Sequence, residues 1–222
     1  MRSRFSIRTP TVVFLALAVF SFTVSPCILA DENTKGWLAE LEEIEKRVRS
    51  FIPDPHYPDD LFVLVTIQEA LAGSRENNGG IGACLVREAT GEIVERGHNR
   101  QYEPYFRSDL HAEMDLLTRY EERVKAQRFR TSSSGDPRKV GGLVLYSSVE
   151  PCPMCLTRII NMGLKKVYFA VPDPNGGMIQ RIQDLPPFWR DMAAGNIYAS
   201  ANCSPELKDL AKRLFHPKRI NR

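Results

Sequence analysis

Apolar residues fall at steps of three and four between residues 31 and 52, where Trp37, Leu38, Leu41, Ile44 and Val48 mark one face of an amphipathic helix. The Pro-rich stretch IPDPHYPDD (52–60) breaks it, and Asp59 or Asp60 is placed to cap a second helix running to about Ser74, with Phe62, Val65, Ile67 and Leu71 as its apolar positions. After RENNGG the period shortens to two: IGACLVRE and IVERGHN flank ATGE, a strand, a Gly turn and a second strand. Ser108 or Asp109 is a candidate cap for a helix over about Leu110–Lys125, and RTSSSGDPRK (130–139) reads as a polar loop. GGLVLYSSV is a strand, Cys152 to Met162 a helix stopped by Gly163, and KKVYFAV another strand. Residues 178–195 are partly helical around LPPFW, NIYASA is a last strand, and Pro205 opens a terminal helix reaching about Phe215. The later strand–helix–strand units require parallel pairing with helices on the sheet faces, so the pattern predicts an α/β domain with a mixed sheet.

Residues 1–30 follow a different pattern. Arg2, Arg4 and Arg8 precede an apolar run from Val12 to Val24 that is interrupted only by Ser21 and Thr23, and Pro26 breaks it. The run is short for a membrane span and suits a secretory signal cut near Ala30, with an uncleaved anchor as the alternative. The expected organisation is therefore a signal peptide (1–30), an N-terminal helical extension (31–58) and one globular domain (59–222). The expected location is secreted or periplasmic, with no membrane association after cleavage.

This segment also changes the charge balance. It holds three of the 30 Lys and Arg residues and none of the 27 Asp and Glu residues, so the remainder carries equal numbers of each. A chain so balanced lacks the overall positive field used in non-specific nucleic-acid binding. The basic stretch Lys208, Lys212, Arg213, Lys218, Arg219, Arg222 has two readings, a phosphate or RNA contact and a solvated helix face with cations near its C-terminus.

Of the five cysteines, Cys27 lies in the signal, leaving Cys84, Cys152, Cys155 and Cys203. Cys84 sits in a core strand and reads as a small apolar residue; a Cys84–Cys203 bridge is the alternative in an oxidising compartment. Cys152 and Cys155 in EPCPMC suit a redox pair, a disulfide, half of a structural zinc site, or a catalytic metal site. Upstream, DLHAEMDLL places His111 and Glu113 at the start of another helix. The two segments together fit H-x-E … P-C-x-x-C, a known zinc-deaminase signature. Zinc takes imidazole and thiolates tetrahedrally, and a catalytic site leaves the fourth position to water. Cys152 and Cys155 lie one helical turn apart, close enough to grip one ion, and the helix N-terminus favours thiolate charge.

These residues give the chain a specific resemblance. It resembles the cytidine deaminase-like superfamily, closest to the branch that holds tRNA adenosine, guanine and cytosine deaminases, over roughly residues 61–215. GIGACLVREATGEIVERGHNR is similar to that branch's first hairpin, HAE and EPCPMC to its two zinc motifs, KKVYFAVPDPNGG to the strand and loop after the zinc helix, and NIYASA…LAKRLFHPKR to its final strand and helix. The resemblance implies a three-layer α-β-α fold with a mixed five-stranded sheet and one Zn2+ per chain on His111, Cys152 and Cys155. It implies hydrolytic release of ammonia from a nucleobase, nucleoside or related small amidine by zinc-bound hydroxide, with Glu113 moving the protons. It assigns a substrate contact to Asn99, which is otherwise an ordinary turn residue, and leaves Phe215 either over the pocket or in the core. It also implies a homodimer. A deaminase acting on nucleic acid and a non-catalytic zinc module of the same fold are the alternatives. Leu110 stands where that branch has a small residue, Gly80 or Ile81 replaces a usual Pro, the loop before GGLVLY is long, and the N-terminal helix is extra. These departures bear on substrate identity.

Overall fold

The computed structural model describes residues 32–131 and 140–215. Residues 1–30, expected to be a signal peptide, and Lys218, Arg219 and Arg222 lie outside the described residues, as does most of the polar loop. Six helices, α1 (Glu32–Ser50), α2 (Asp60–Arg75), α3 (Ala112–Thr131), α4 (Pro153–Met162), α5 (Pro187–Ala193) and α6 (Pro205–Leu214), surround five strands. These are β1 (Gly82–Arg87), β2 (Glu92–His98), β3 (Leu143–Val149), β4 (Lys166–Val171) and β5 (Ile197–Ser200), in the sheet order β2-β1-β3-β4-β5. β1 runs antiparallel to both β2 and β3, whereas β3, β4 and β5 are parallel. The predicted mixed sheet is thus what forms, with α4 and α5 as the crossovers that parallel pairing demands. Among the described residues no helix is long and apolar enough to cross a membrane.

Strand periodicity divides the core in two. Cys84, Val86, Val144 and Tyr146 face one layer, where they pack with residues of α1, α2 and α6. Their neighbours Ala83, Leu85, Leu143 and Leu145 face the other, against Leu116, Leu117, Leu156, Ile159 and Ile160 of α3 and α4. Alternate residues of a strand point to opposite faces, so a strand buried on both sides is apolar throughout, as β1 and β3 nearly are. In α1 the buried stripe is Leu41, Ile44 and Val48; Leu38, predicted to share it, is 49% exposed because it lies about 100° round the helix from Trp37.

Several helix ends differ from the expected ones. Asp59 precedes α2 without capping it; its carboxylate accepts hydrogen bonds from the Asn202 backbone N–H at 2.7 Å and the Tyr146 hydroxyl at 2.8 Å, tying α2 to the chain after β5. α3 starts later than predicted and runs on to Thr131. Neither Ser108 nor Asp109 caps it, because Asp109 is paired with Arg107 at 2.7 Å and residues 107–110 form a turn. The first intrahelical acceptor is the His111 carbonyl, which takes the Asp115 N–H at 2.8 Å. Gly163 ends α4 in the left-handed conformation at φ 84°, as predicted. Gly97 is required by closeness: a Cβ there would stand 2.8 Å from the Ala112 carbonyl oxygen, so only glycine lets α3 settle this tightly on β2.

The end of β2 is held by a buried histidine. His98 Nδ1 lies 2.9 Å from Glu69 and Nε2 lies 3.1 Å from Glu76, both on or just after α2. Burial pulls the imidazolium pKa down, but Glu69 and then Glu76 outweigh it, and the net shift is upward. A raised folded value means that the clamp stabilises fully below the unfolded pKa of about 6.5 and fades as pH climbs through the folded value. Against a His98→Gln variant, the wild-type advantage in urea midpoint is expected to be largest near pH 6 and to shrink toward about pH 9. An advantage that grows over that range contradicts the clamp.

Candidate active site

α3 and α4 begin beside one another at the end of the sheet where the central strand β3 finishes, and the three predicted ligands sit at their first turns. Cys152 is the N-cap of α4, with φ −72° and ψ 171°, and its carbonyl takes the Leu156 N–H at 2.9 Å. His111 occupies the corresponding position before α3. Cys155 lies one turn into α4 and is fully buried. His111 Nδ1 is 3.5 Å from Cys152 Sγ and 3.6 Å from Cys155 Sγ, and all three ligand atoms fall within 4.8 Å of one another. Tetrahedral zinc with ordinary Zn–N and Zn–S bonds puts nitrogen and sulfur about 3.6 Å apart, so the donor set fits the ion in spacing as well as in type. Among the described residues this is the one group of three or more His, Cys, Asp and Glu side chains so arranged.

Metal-free, the cysteines share a proton. The S–H that Cys155 donates holds the Cys152 thiol down at about 4, while keeping that proton pushes Cys155 well above the usual thiol range. The Cys152 thiolate in turn raises His111. Glu113 is the second residue of α3 and is 3% exposed, and its Oε1 accepts the Ser147 hydroxyl at 3.0 Å. Burial raises its carboxyl pKa, and the charge of Cys152 raises it further. Arg158 of α4 fastens the two helices together, donating to the Met114 carbonyl at 2.9 Å, the Thr118 hydroxyl at 2.8 Å and Glu121 at 2.8 Å.

These groups open into a cavity of about 1310 Å³. Asn99 and Phe215 both line it. Asn99 is 3% exposed; its Nδ2 donates to Gln101 Oε1 at 3.1 Å, and its Oδ1 is left without a partner. Gly79 makes room for that amide, since a Cβ there would lie 2.4 Å from Nδ2. Phe215 satisfies both of its readings, packing against the α1/α2/α6 core while bordering the cavity. Leu110 does not line the cavity; its backbone instead closes the turn before His111. Cys84 and Cys203 are free and buried, without a bridge.

Other lining residues escaped sequence reasoning. Asn78, read only as part of a loop, accepts the N–H groups of Tyr102 and Glu103 at 2.8 and 3.1 Å and so sets the wall formed by residues 101–103. Glu150, next to the cysteine motif, accepts the N–H groups of Gln180 at 2.7 Å and Asp173 at 3.2 Å, fixing the loop after β4 as the opposite wall. Trp37 and Thr34 arrive from α1, and Lys212 from α6. Of these, Glu150, the first residue of EPCPMC, and Lys212, in the basic stretch with a phosphate or RNA reading, carried a signal in sequence.

Comparison with known proteins decides the family. Residues 58–171 match the cytidine and deoxycytidylate deaminase zinc-binding region. The chain belongs to this deaminase family. Over 127 residues it is 34% identical to the tRNA-specific adenosine deaminase of Bacillus subtilis (strain 168), a match covering 57% of this chain and 70% of that enzyme. Over 163 residues it is 26% identical to the tRNA-specific adenosine deaminase of Agrobacterium fabrum (strain C58), covering 72% of this chain and 95% of that one. A solved structure of guanine deaminase from Nitrosomonas europaea shares the fold, with a TM-score of 0.52 and 17% identity, over 76% of this chain and 90% of that chain. Zinc is the family's metal, and His111, Cys152 and Cys155 are the residues that fit it here.

Removing zinc is expected to leave Cys152 and Cys155 readily oxidised to a disulfide, since their sulfurs lie within 4.8 Å and a lowered Cys152 pKa favours the attacking thiolate. Thiol titration of chelator-treated, air-exposed and then denatured protein is expected to lose two thiols per chain relative to zinc-loaded protein. Retention of both contradicts the arrangement.

Proposed function

We propose that this deaminase-family protein hydrolyses the exocyclic amine of a nucleobase, nucleoside or related small amidine, with water as co-substrate and ammonia as product. The observation that carries the reading is a buried carboxyl group, Glu113, beside a three-donor metal set, with Glu113, His111 and Cys152 lining one cavity. Zinc on His111, Cys152 and Cys155, when bound, supplies Lewis-acid activation of water.

The chain's own groups account for the remainder. Glu113 takes a proton from the attacking water on one carboxyl oxygen and returns it to a ring nitrogen of the substrate, then assists departure of the amine. Burial raises its pKa, which favours the protonated carboxyl that hands the proton back. Ser147 donates to Oε1 and so fixes which oxygen stays free. Asn99 Oδ1, buried and unpartnered, accepts an N–H of the base, a bond that also relieves its own desolvation. The equal numbers of acidic and basic residues beyond residue 30 favour a small substrate over a polyanion.

A second reading is supported by the tRNA-specific relatives: the substrate base belongs to a nucleic acid. It requires binding that weakens steeply with salt. We further propose export, resting on the pattern of residues 1–30.

The test is ammonia release by zinc-loaded protein from guanine, adenosine, cytosine and cytidine, beside a single-stranded oligonucleotide across a salt series. Glu113→Ala is expected to retain zinc and to lose kcat by roughly 10²–10⁴-fold or more. Full activity in that variant would sink the mechanism, and turnover confined to the oligonucleotide with a steep salt slope would select the second reading.

A further inference from the structure

The cavity is not confined to the layer that holds the metal ligands. His111, Glu113 and Cys152 come from α3 and α4, which pack on one face of the sheet, whereas Trp37, Lys212 and Phe215 come from α1 and α6, which pack on the other. The cavity therefore runs over the strand ends, past Ile81, Val149 and Val171, from one layer to the other. Its volume of about 1310 Å³ exceeds the roughly 300–1,000 Å³ usual for small-molecule pockets, so the region near the metal ligands is only part of it.

The wall on the far side is a product of α1. This helix precedes residues 58–171, the part that matches the deaminase family. Its buried stripe Leu41, Ile44 and Val48 continues one turn toward the N-terminus as Trp37, and one turn further as Thr34. The first three are core. Trp37 is only partly buried, because the stripe there passes the edge of the core and reaches the cavity. The placement is firmly held. Arg47 bonds Glu206 at 3.1 Å and Asp209 at 3.4 Å on α6, and Arg213 of α6 bonds Glu40 at 3.2 Å and also Glu43. These pairs are partly exposed and add little stability singly, but together with the apolar stripe they fix the register of α1 on α6. A large, flat, largely apolar side chain thus borders the same cavity as the metal ligands, on a helix locked at two points.

We infer that Trp37 is a substrate-contacting, specificity-determining residue, whose indole packs on the heterocyclic substrate from the side remote from the metal. The inference rests on the deaminase reading above and extends it: discrimination among bases and nucleosides comes in part from a helix that the zinc chemistry does not require. Indole offers a broad π-face and little conformational freedom, which suits stacking on a ring.

The chain has two tryptophans, and the other, Trp189, packs in the opposite core and does not line the cavity. In full-length Trp189→Phe protein, Trp37 fluorescence is expected to quench saturably with guanine, adenosine or cytidine, half-maximally near KM for whichever probe is deaminated. Trp37→Ala is expected to raise KM for that probe roughly tenfold or more, with kcat within about twofold and zinc content unchanged. Trp37→Phe, which keeps a ring in place, is expected to recover most of the loss. An unchanged KM in Trp37→Ala overturns the inference, as does a fall in kcat and zinc content with KM intact, which marks a purely structural role. Ammonia release from none of the probes sinks the deaminase reading alone; quenching then decides Trp37, supporting it if any probe saturates and overturning it if none does.

Discussion

Two helix N-termini converge at the end of the central strand β3, and everything else about the site depends on how that convergence is tolerated. Each end carries roughly half a positive charge in unpaired N–H groups, and two such ends brought together repel unless negative charge is placed between them. The chain places it there. Cys152, at the start of α4, has its thiol pKa held down to about 4, so negative charge gathers on that sulfur. The same field that stabilises sulfur anions readies them for a divalent cation. The preference for metal and the geometry of the fold are one arrangement seen from two sides.

Holding the ends together takes more than electrostatics. Arg158 spans α4 and α3 through three hydrogen bonds, and Gly97 lets α3 approach β2 to a distance no other residue allows. On the other side of α4, Glu150 ties the chain just before Cys152 to the loop after β4. Ligand positions are thereby fixed by interactions that do not include the ligands.

Much of this was legible in the sequence because it obeys short periods. The two-residue alternation in β1 and β3, the helical stripe of α1, the Gly163 stop and the C-x-x-C spacing are all local, and local patterns lead to the right elements and the right metal donors. Long-range assembly was less legible. Asp109 looks like a helix cap until Arg107 is seen to occupy it, and Leu38 looks like part of a buried stripe until the helix has a definite face. Thr34 and Trp37 of α1 and Phe215 at the end of α6 reach the cavity from segments that are distant in sequence from the metal motifs. No spacing rule connects them to His111, because only the packing of α1 and α6 on one sheet face brings them round to it.

The separation of His111 from Cys152 along the chain, 41 residues, has a further consequence. An ion that joins them closes a loop containing all of α3, the polar segment after it and all of β3. Such a cross-link removes freedom mainly from the unfolded chain, and the benefit grows only slowly with loop length. The segment between α3 and β3 is thus free to lengthen at small cost once metal is in place. The unusually long polar stretch at residues 130–139 is the kind of variation that a metal-closed loop tolerates.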